Sequence, residues 1–491
     1  MFLYFLGGPL IVIIITFIFI LIKEKFKIIE NEGVIMEKTT KRKLLYYLLI
    51  SAVSFSYLIL PKNAGISVPI FVLIQFVFLY LLAPKKKPLL MFIPIFILAL
   101  NSFISASEIW RVSNFFVTIV LYSVMTLWMA GKFSIPDIIK NIFTPIANFI
   151  IPIKWGAEAN KENVKTAQRI LIGVVISVPC LAFLLLLLSS ADAIFANILG
   201  DFVKLIDINI LLKIVIGIIA GFYLFGMVYS VYQPKMERIY VKRQINGDLI
   251  ILNILLTSIL AVYTIFVVIQ FKYLFANGNE LPYGLTYTYY ARRGFFELLF
   301  LTGLNILLIL ITINLTKTQK AKFTKILCCY LCAVTIILLV SSFYRMWLYN
   351  TDDGLTRLRF LVFGFLIFEA IGLIFTFVFI FKPKLNIIAV YACIGLTYYL
   401  LLNVVPMDAI IAKDQIDRYF ENGAGGIDYT LTLSPDAANQ IARLRECDDS
   451  AIKEMVREYF NNGDSLPTWW QWQQWNFSRV NYLKPTSYSP E

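Results

Sequence analysis

Runs of about eighteen apolar residues recur along nearly the whole chain, and no other feature limits its folds as tightly. A run of that length crosses the ~30 Å hydrocarbon core of a bilayer as an α-helix, which satisfies every backbone N–H and C=O within the segment. Twelve such spans are predicted, at about residues 2–22, 44–60, 66–83, 89–105, 115–131, 170–189, 210–231, 249–270, 298–315, 326–344, 360–381 and 387–405. The expected fold is all-α, a polytopic helical membrane bundle whose first partner is the lipid bilayer. Charge supports this: only 15% of the 491 residues are Asp, Glu, Lys or Arg, too few to cover a soluble surface.

The formal charge of +13 reads as membrane orientation rather than nucleic-acid binding, because the basic residues alternate from loop to loop. Loops after the odd-numbered spans hold 26 Lys and Arg, and those after the even-numbered spans hold nine. The positive side faces the cytoplasm. That places the stretch around Arg292 and Arg293, the segment around Arg345–Arg359 and the C-terminal tail outside.

The first span has neither a basic leader nor a small-residue cleavage site, so it does not read as a secretory signal peptide. Met36 opens a second leader, MEKTTKRK, and Asn31-Glu32-Gly33-Val34 before it fits a purine-rich ribosome-binding sequence. A start at Met36 would leave eleven spans and an inside N-terminus. The expected organisation is a first span with its basic segment (1–43), a membrane domain (44–405) and an extracytoplasmic helical tail (406–491).

The chain has no histidine, which removes Ser-His-Asp and Cys-His catalysis, HExxH zinc sites and histidine-ligated haem. No Walker-type GxxxxGK[ST] is present. Cys328, Cys329 and Cys332 lie inside a span, where thiols pack between helices more readily than they bind zinc. No cofactor and no metal site is expected.

Leu281 to Leu298 joins two spans and carries an aromatic collar of Tyr283, Tyr287, Tyr289 and Tyr290. Arg292, Arg293 and Glu297 follow where the next helix enters the lipid. Arg293 and Glu297 share a helix face at i, i+4, and the arginines alternatively anchor the helix end. The other charged outer segment is YRMWLYNTDDGLTRLR, Tyr344 to Arg359, with a turn signal at Asp352-Asp353-Gly354. Arg345, Arg357 and Arg359 flank that turn. With Arg292 and Arg293 they offer guanidiniums to an anionic lipid headgroup or a lipid-linked phosphate, or they snorkel at helix ends. Glu369 is the lone carboxylate within its span, a functional candidate by default. The plainer reading is a glutamate buried between helices beside Asn305 or Asn403.

Two further stretches read as interfacial rather than spanning. The first half of 132–169 mixes short apolar runs with three prolines and reads as re-entrant or interfacial. Ser190–Asn209, apolar at helical spacing around Asp192, Asp201 and Asp207, reads as an interfacial helix or alternatively an ion site.

The tail from Met407 is a different polymer. It holds 13 acidic and 8 basic residues, a net −5 against +18 for the rest. Helices are predicted over Asp408–Glu421, from the Ser434-Pro435 N-cap onward, and over Ser450–Phe460. The tail is expected to dock on the outer loops. The cluster Trp469-Trp470-Gln471-Trp472-Gln473-Gln474-Trp475 suits docking or the headgroup level, and alternatively sugar stacking.

The stretches TYTYYARRGFFELLFLTGLNILLIL, YRMWLYNTDDGLTRLRFLVF and MDAIIAKDQIDRYF…IDYTLTLSPDA…WNFSR together resemble a bacterial family of multi-pass membrane proteins catalogued as a domain of unknown function. The resemblance runs from about Ile170 to Arg479 and implies a protein of the bacterial cell membrane. It brings no activity with it. Pro406-Met407-Asp408-Ala409 stands where Asn-Pro-Asp-Ala is the family pattern.

The sequence therefore favours a non-enzymatic membrane protein, transporter-like or a sensory or accessory component, whose outer face meets a ligand and whose tail meets a protein partner. The alternatives are a scaffold subunit of an envelope complex, or an outer-face enzyme acting on lipid-linked sugars or headgroups. Glu108, Asp192, Asp352 and Asp353 would be the carboxylates of that enzyme.

Overall fold

The computed structural model of the chain describes residues 37–60, 64–131, 135–157, 208–232, 247–270, 295–316, 321–462 and 472–483, with scattered positions between 177 and 195. The described residues contain helices and no strand. They form two compact units. The first comprises the described parts of Met1–Ile104, Glu108–Arg238 and Thr468–Phe477; the second comprises those of Ser105–Ser107, Ile239–Pro467 and Ser478–Glu491. This division does not follow the membrane–tail boundary at 405/406. Most of the tail belongs to the second unit, and its Trp472–Trp475 stretch belongs to the first.

The first unit contains α1 (Lys38–Leu58), α2 (Ser67–Leu82), α3 (Phe92–Ile104, entered through a 3-10 turn at Lys87–Met91), α4 (Glu108–Ala130), α5 (Ile135–Ala147), α6 (Ile150–Ala157) and α7 (Ile208–Tyr232). The closest pairing is α1 against α7. Gly217 and Gly221 of α7 face Ala52 and Ser56 of α1, and a Cβ at Gly221 would sit 2.7 Å from that of Ala52. Small residues four apart on both helices let the backbones approach where lipid supplies no hydrophobic drive. Buried polar pairs bind the remaining helices. Tyr47 and Tyr122 share a hydrogen bond of 2.5 Å, and Asn141 of α5 donates to Thr126 of α4 at 2.8 Å while accepting from Ser230 of α7 at 2.9 Å.

The second unit contains α8 (Leu249–Gln270), α9 (Phe295–Leu315), α10 (Lys322–Asp353), α11 (Arg357–Phe381) and α12 (Ile387–Val404). Leu256, Ile309, Leu331, Leu338, Phe379 and Ile380 fill its core, together with Cys328 and Cys332. Tyrosines make its lateral ties. Tyr263 donates to Asn305 at 2.9 Å, Tyr391 to the Gly372 carbonyl at 2.9 Å and Tyr398 to the Leu361 carbonyl at 3.2 Å.

Tail helices follow in the same unit: α13 (Met407–Asn422), α14 (Ile427–Thr430), α15 (Ala438–Ile441) and α16 (Ser450–Asn462), with 3-10 turns at Pro435–Ala437 and Ala442–Glu446. The last helix, α17 (Phe477–Leu483), spans the division between the units.

Eight described helices are long and apolar enough to cross a membrane: Lys87–Ile104, Glu108–Ala130, Asn209–Tyr232, Leu249–Ile269, Glu297–Leu315, Lys322–Thr351, Arg357–Phe381 and Ile387–Val404. Ser67–Leu82 is apolar but shorter, and α1 carries a basic first half. The predicted span 2–22 and nearly all of 170–189 lie outside the described residues. So does the tyrosine collar at 283–290.

Two expected boundaries move. α4 begins at Glu108, seven residues before the predicted 115, so Glu108 stands in a first helical turn and not in a loop. α10 runs through YRMWLYNTDD to Asp353, nine residues beyond the predicted 344. Most of the supposed outer loop is thus the last turns of a helix.

Candidate functional site

Helix α10 stops where the sequence carries its turn signal. Gly354 takes φ +72°, a conformation costly for any residue with a Cβ, and its N–H bonds back to the Asn350 carbonyl. The last carbonyls of a helix have no partner in the helix and carry its negative end charge. Here protein donors meet them. Arg418 of α13 donates to the carbonyls of Thr351 and Asn350, both at 2.9 Å. Gln415 donates to those of Asp353 at 3.3 Å and Leu355 at 2.8 Å. Arg359 donates to that of Gly354. A tail helix thereby supplies the C-terminal cap of a membrane helix.

The next helix is held in the same way. Arg357, its first residue, gives Nε and Nη2 to the two oxygens of Asp408 at 2.8 and 2.6 Å, the bidentate fork a planar guanidinium makes with a carboxylate. Asp408 also accepts from the Ser434 amide at 3.0 Å. Its side chain is only 2% exposed, against 27% for Arg357. Burial pushes the Asp408 carboxyl up. The Arg357 guanidinium and the Ser434 amide outweigh it and hold the group below its ordinary value. Asp414 accepts from the Leu355 amide at 2.7 Å, and Tyr429 accepts from the Arg357 amide at 2.8 Å.

Arg359 is buried. Its Nη2 lies 2.9 Å from Asp353, and its guanidinium stacks 3.8 Å over the Tyr349 ring. Of the five arginines expected to serve an anionic ligand, Arg357 and Arg359 are thus brought together around Gly354 and engaged by protein groups. Arg345 is buried in α10. Arg292 and Arg293 lie outside the described residues. Glu297 stands exposed in the first turn of α9. Asp352 is the penultimate residue of α10, its side chain outside the described set, and Asp353, the last, is half exposed at 53%.

Glu369 lies twelve residues along α11 from Arg357, about 18 Å at 1.5 Å per residue. It is buried, 5% exposed, and its Oε2 meets Thr302 Oγ1 of α9 at 2.8 Å. The neighbours suggested by the sequence are occupied elsewhere: Asn305 with Tyr263 and Asn403 with the Tyr399 carbonyl at 2.9 Å. Thr302 was the partner the sequence did not suggest. Its hydroxyl also points at the Leu299 carbonyl, 2.7 Å away, so one proton has two acceptors.

Two expectations for the tail are refined. Ser434 adopts an extended N-cap backbone before Pro435, but its side chain makes no cap bond, and the predicted helix breaks into 3-10 and α turns. Trp472 and Trp475 are docked. Trp475 packs 5.1 Å from the Phe103 ring and Trp472 6.3 Å from Tyr57, ring centre to ring centre. Trp469 and Trp470 lie outside the described residues. Among the described residues no three His, Cys, Asp or Glu side chains gather as a metal site.

Apolar helices of spanning length, knitted by buried polar pairs and capped by a small helical tail, define an integral, multi-pass helical membrane protein. The family described as Domain of unknown function (DUF4153) matches residues 49–444, and the chain belongs to it. The match takes in the early spans as well as the stretches that carried the resemblance, and it stops before WNFSR. No curated protein and no solved structure matches the chain.

Proposed function

We propose that the protein is a non-enzymatic component of the bacterial cell membrane, sensory or transporter-like, in which the tail receives a partner outside and passes its state to α11. The observation that carries this reading is the Arg357–Asp408 fork. It joins the first tail helix to the first residue of the helix that holds Glu369 within the bundle. The arginines and acids of this region bind each other and the end of α10, an arrangement that couples segments rather than attacks a substrate.

Orientation has support of its own. In the second unit the tail rests on the loops after spans four and ten, through Asp436 to the Ala106 amide at 2.7 Å and through Arg357 to Asp408. In the first, the tail's tryptophan stretch rests on the loop after span two, with the Gly65 amide on the Gln473 carbonyl at 2.8 Å. All three are loops the basic-residue alternation assigns to the outside, which supports an outside tail.

A photo-crosslinking residue at exposed Glu421, in cells, tests the reading. It is expected to give a discrete protein adduct that Asp408→Asn abolishes. No adduct, together with turnover of a lipid-linked sugar that Asp353→Ala eliminates, would favour the enzyme instead.

A further inference from the structure

The first unit contains a partly open pocket of about 830 Å3 bounded by α1, α2, α3, α4, α5 and α7. That is the size of a ligand site, toward the upper end of the roughly 300–1,000 Å3 such sites occupy. Its wall is overwhelmingly hydrocarbon: Phe55, Phe71, Phe92, Phe115, Ile219 and Met227 face it. A mostly apolar pocket of this size gains dispersion contacts along its lining when a hydrocarbon chain fills it.

Polar groups also line it, Gln75 of α2, Thr118 of α4 and Tyr223 of α7 among them, and Arg111 is the one cation among the described residues of the lining. Ser102 near the end of α3 and Arg111 and Asn114 in the first turns of α4 stand at one end of the bundle. From Arg111 the cavity follows α4 inward to Tyr122, about 16 Å at 1.5 Å per residue. An apolar shaft of that length with a guanidinium at its outer end has the chemistry of a lipid: chain inside, anionic phosphate at the arginine.

A second, independent feature lies at the same end. The Trp472–Asn476 stretch is tied down by backbone and side-chain bonds to the loops that close the cavity. The Ile66 amide donates to the Trp475 carbonyl at 2.9 Å, and Asn476 donates to the Ser102 carbonyl at 2.9 Å. Gly65 permits this approach, since a Cβ there would run into the Trp475 carbonyl. Tryptophan at the headgroup level beside an arginine is the usual dress of a membrane–water boundary. It fixes the Arg111 end of the shaft at that boundary.

From this geometry we infer that the first unit holds one acyl chain of an anionic phospholipid, with the chain in the shaft and its phosphate at Arg111. The bilayer around these spanning helices supplies that ligand at high local concentration, and the hydrocarbon that makes up most of the wall suits an acyl chain better than a polar metabolite. This site is separate from the tail–α11 contact and stands or falls without it.

The test uses the full-length chain in lipid discs containing a phosphatidylglycerol with a diazirine in one acyl chain. After illumination, label is expected on Phe71 or Tyr223, which line the cavity, as well as on exposed residues such as Ile250 and Val262. Ala220→Phe puts a ring into the lumen and is expected to abolish the cavity label while sparing the outer face. Arg111→Gln is expected to reduce cavity label from phosphatidylglycerol more than from a phosphatidylcholine probe. Label confined to the outer face of the wild-type chain would overturn the inference, whatever the variants do. So would full cavity label in a folded Ala220→Phe protein.

Discussion

Arg357 and Asp408 face each other through two parallel hydrogen bonds of 2.8 and 2.6 Å across 51 residues of sequence. One belongs to the first turn of a spanning helix and the other to the first turn of the tail. The carboxylate is all but withdrawn from solvent, while the arginine side chain keeps about a quarter of its exposure. A buried ion pair seldom adds much net stability over apolar residues of similar shape, but it fixes which groups meet. Here it fixes the tail to α11.

Breaking the pair from one side should therefore cost more than replacing both members. Asp408→Asn or Arg357→Ala is expected to lose about 3 kcal/mol, the lower end of the range for a half-broken buried pair, since Arg357 keeps some solvent. The double change Arg357→Leu/Asp408→Leu should recover part of the loss. A double-mutant cycle read by limited proteolysis of the tail measures this. Additive losses would show that the two side chains do not couple.

Acid should loosen the same contact. The Asp408 carboxyl lies below its ordinary 3.8 in the folded chain, so the unfolded chain binds the proton more readily. Its contribution is complete above the ordinary value and is lost as the pH falls through the lowered folded one. Tail protection in hydrogen exchange is expected to be flat with respect to this group from neutral pH down to about pH 5 and to fall below pH 4. Asp408→Asn should remove the acid limb.

The two left-handed glycines of this region should not be equivalent. Gly354 has φ +72° and a Cβ there would lie 2.6 Å from Gln415 Nε2, whereas Gly423 has φ +71° with open space around it. Gly423→Ala is expected to cost about 1 kcal/mol, the conformational term alone. Gly354→Ala should cost more and displace Gln415 from the end of α10. Paired thermal unfolding curves compare them.

At Glu369 the hydroxyl of Thr302 has one proton for two acceptors. Glu369→Gln brings an amide that donates to Thr302 Oγ1 while the hydroxyl serves Leu299, so it is expected to preserve stability within about 1 kcal/mol. Thr302→Val leaves the buried carboxyl without that partner and should cost about 1–3 kcal/mol. A larger loss for the glutamine than for the valine would contradict this arrangement.

Helix class and most span positions were legible because hydropathy reports them directly. Glu369 was legible too, as a lone charge in an apolar run. Its partner was not, since Thr302 looks like any threonine of a membrane helix. The turn at Asp352-Asp353-Gly354 was placed correctly, but not the helix leading to it. Residues such as Arg345, Trp347 and Tyr349 lower the hydropathy without breaking the helix, so the span appeared to end at 344. Gly217-Ile218-Ile219-Ala220-Gly221 carried a readable small-residue signal for the α1–α7 contact that charge-centred reading passed over. The Arg357–Asp408 fork had no local signature at all. Pairs this far apart are set by tertiary packing, which spacing along the chain does not encode.

Control of the interior of α11 by the tail is tested most directly by hydrogen exchange in lipid discs. Asp408→Asn should release the tail. It should also raise exchange in the segments around Thr302 and Glu369, some 18 Å along the helix at 1.5 Å per residue. Faster exchange in the tail with no change at 298–306 and 366–373 would contradict that control and reduce the fork to a local fastening.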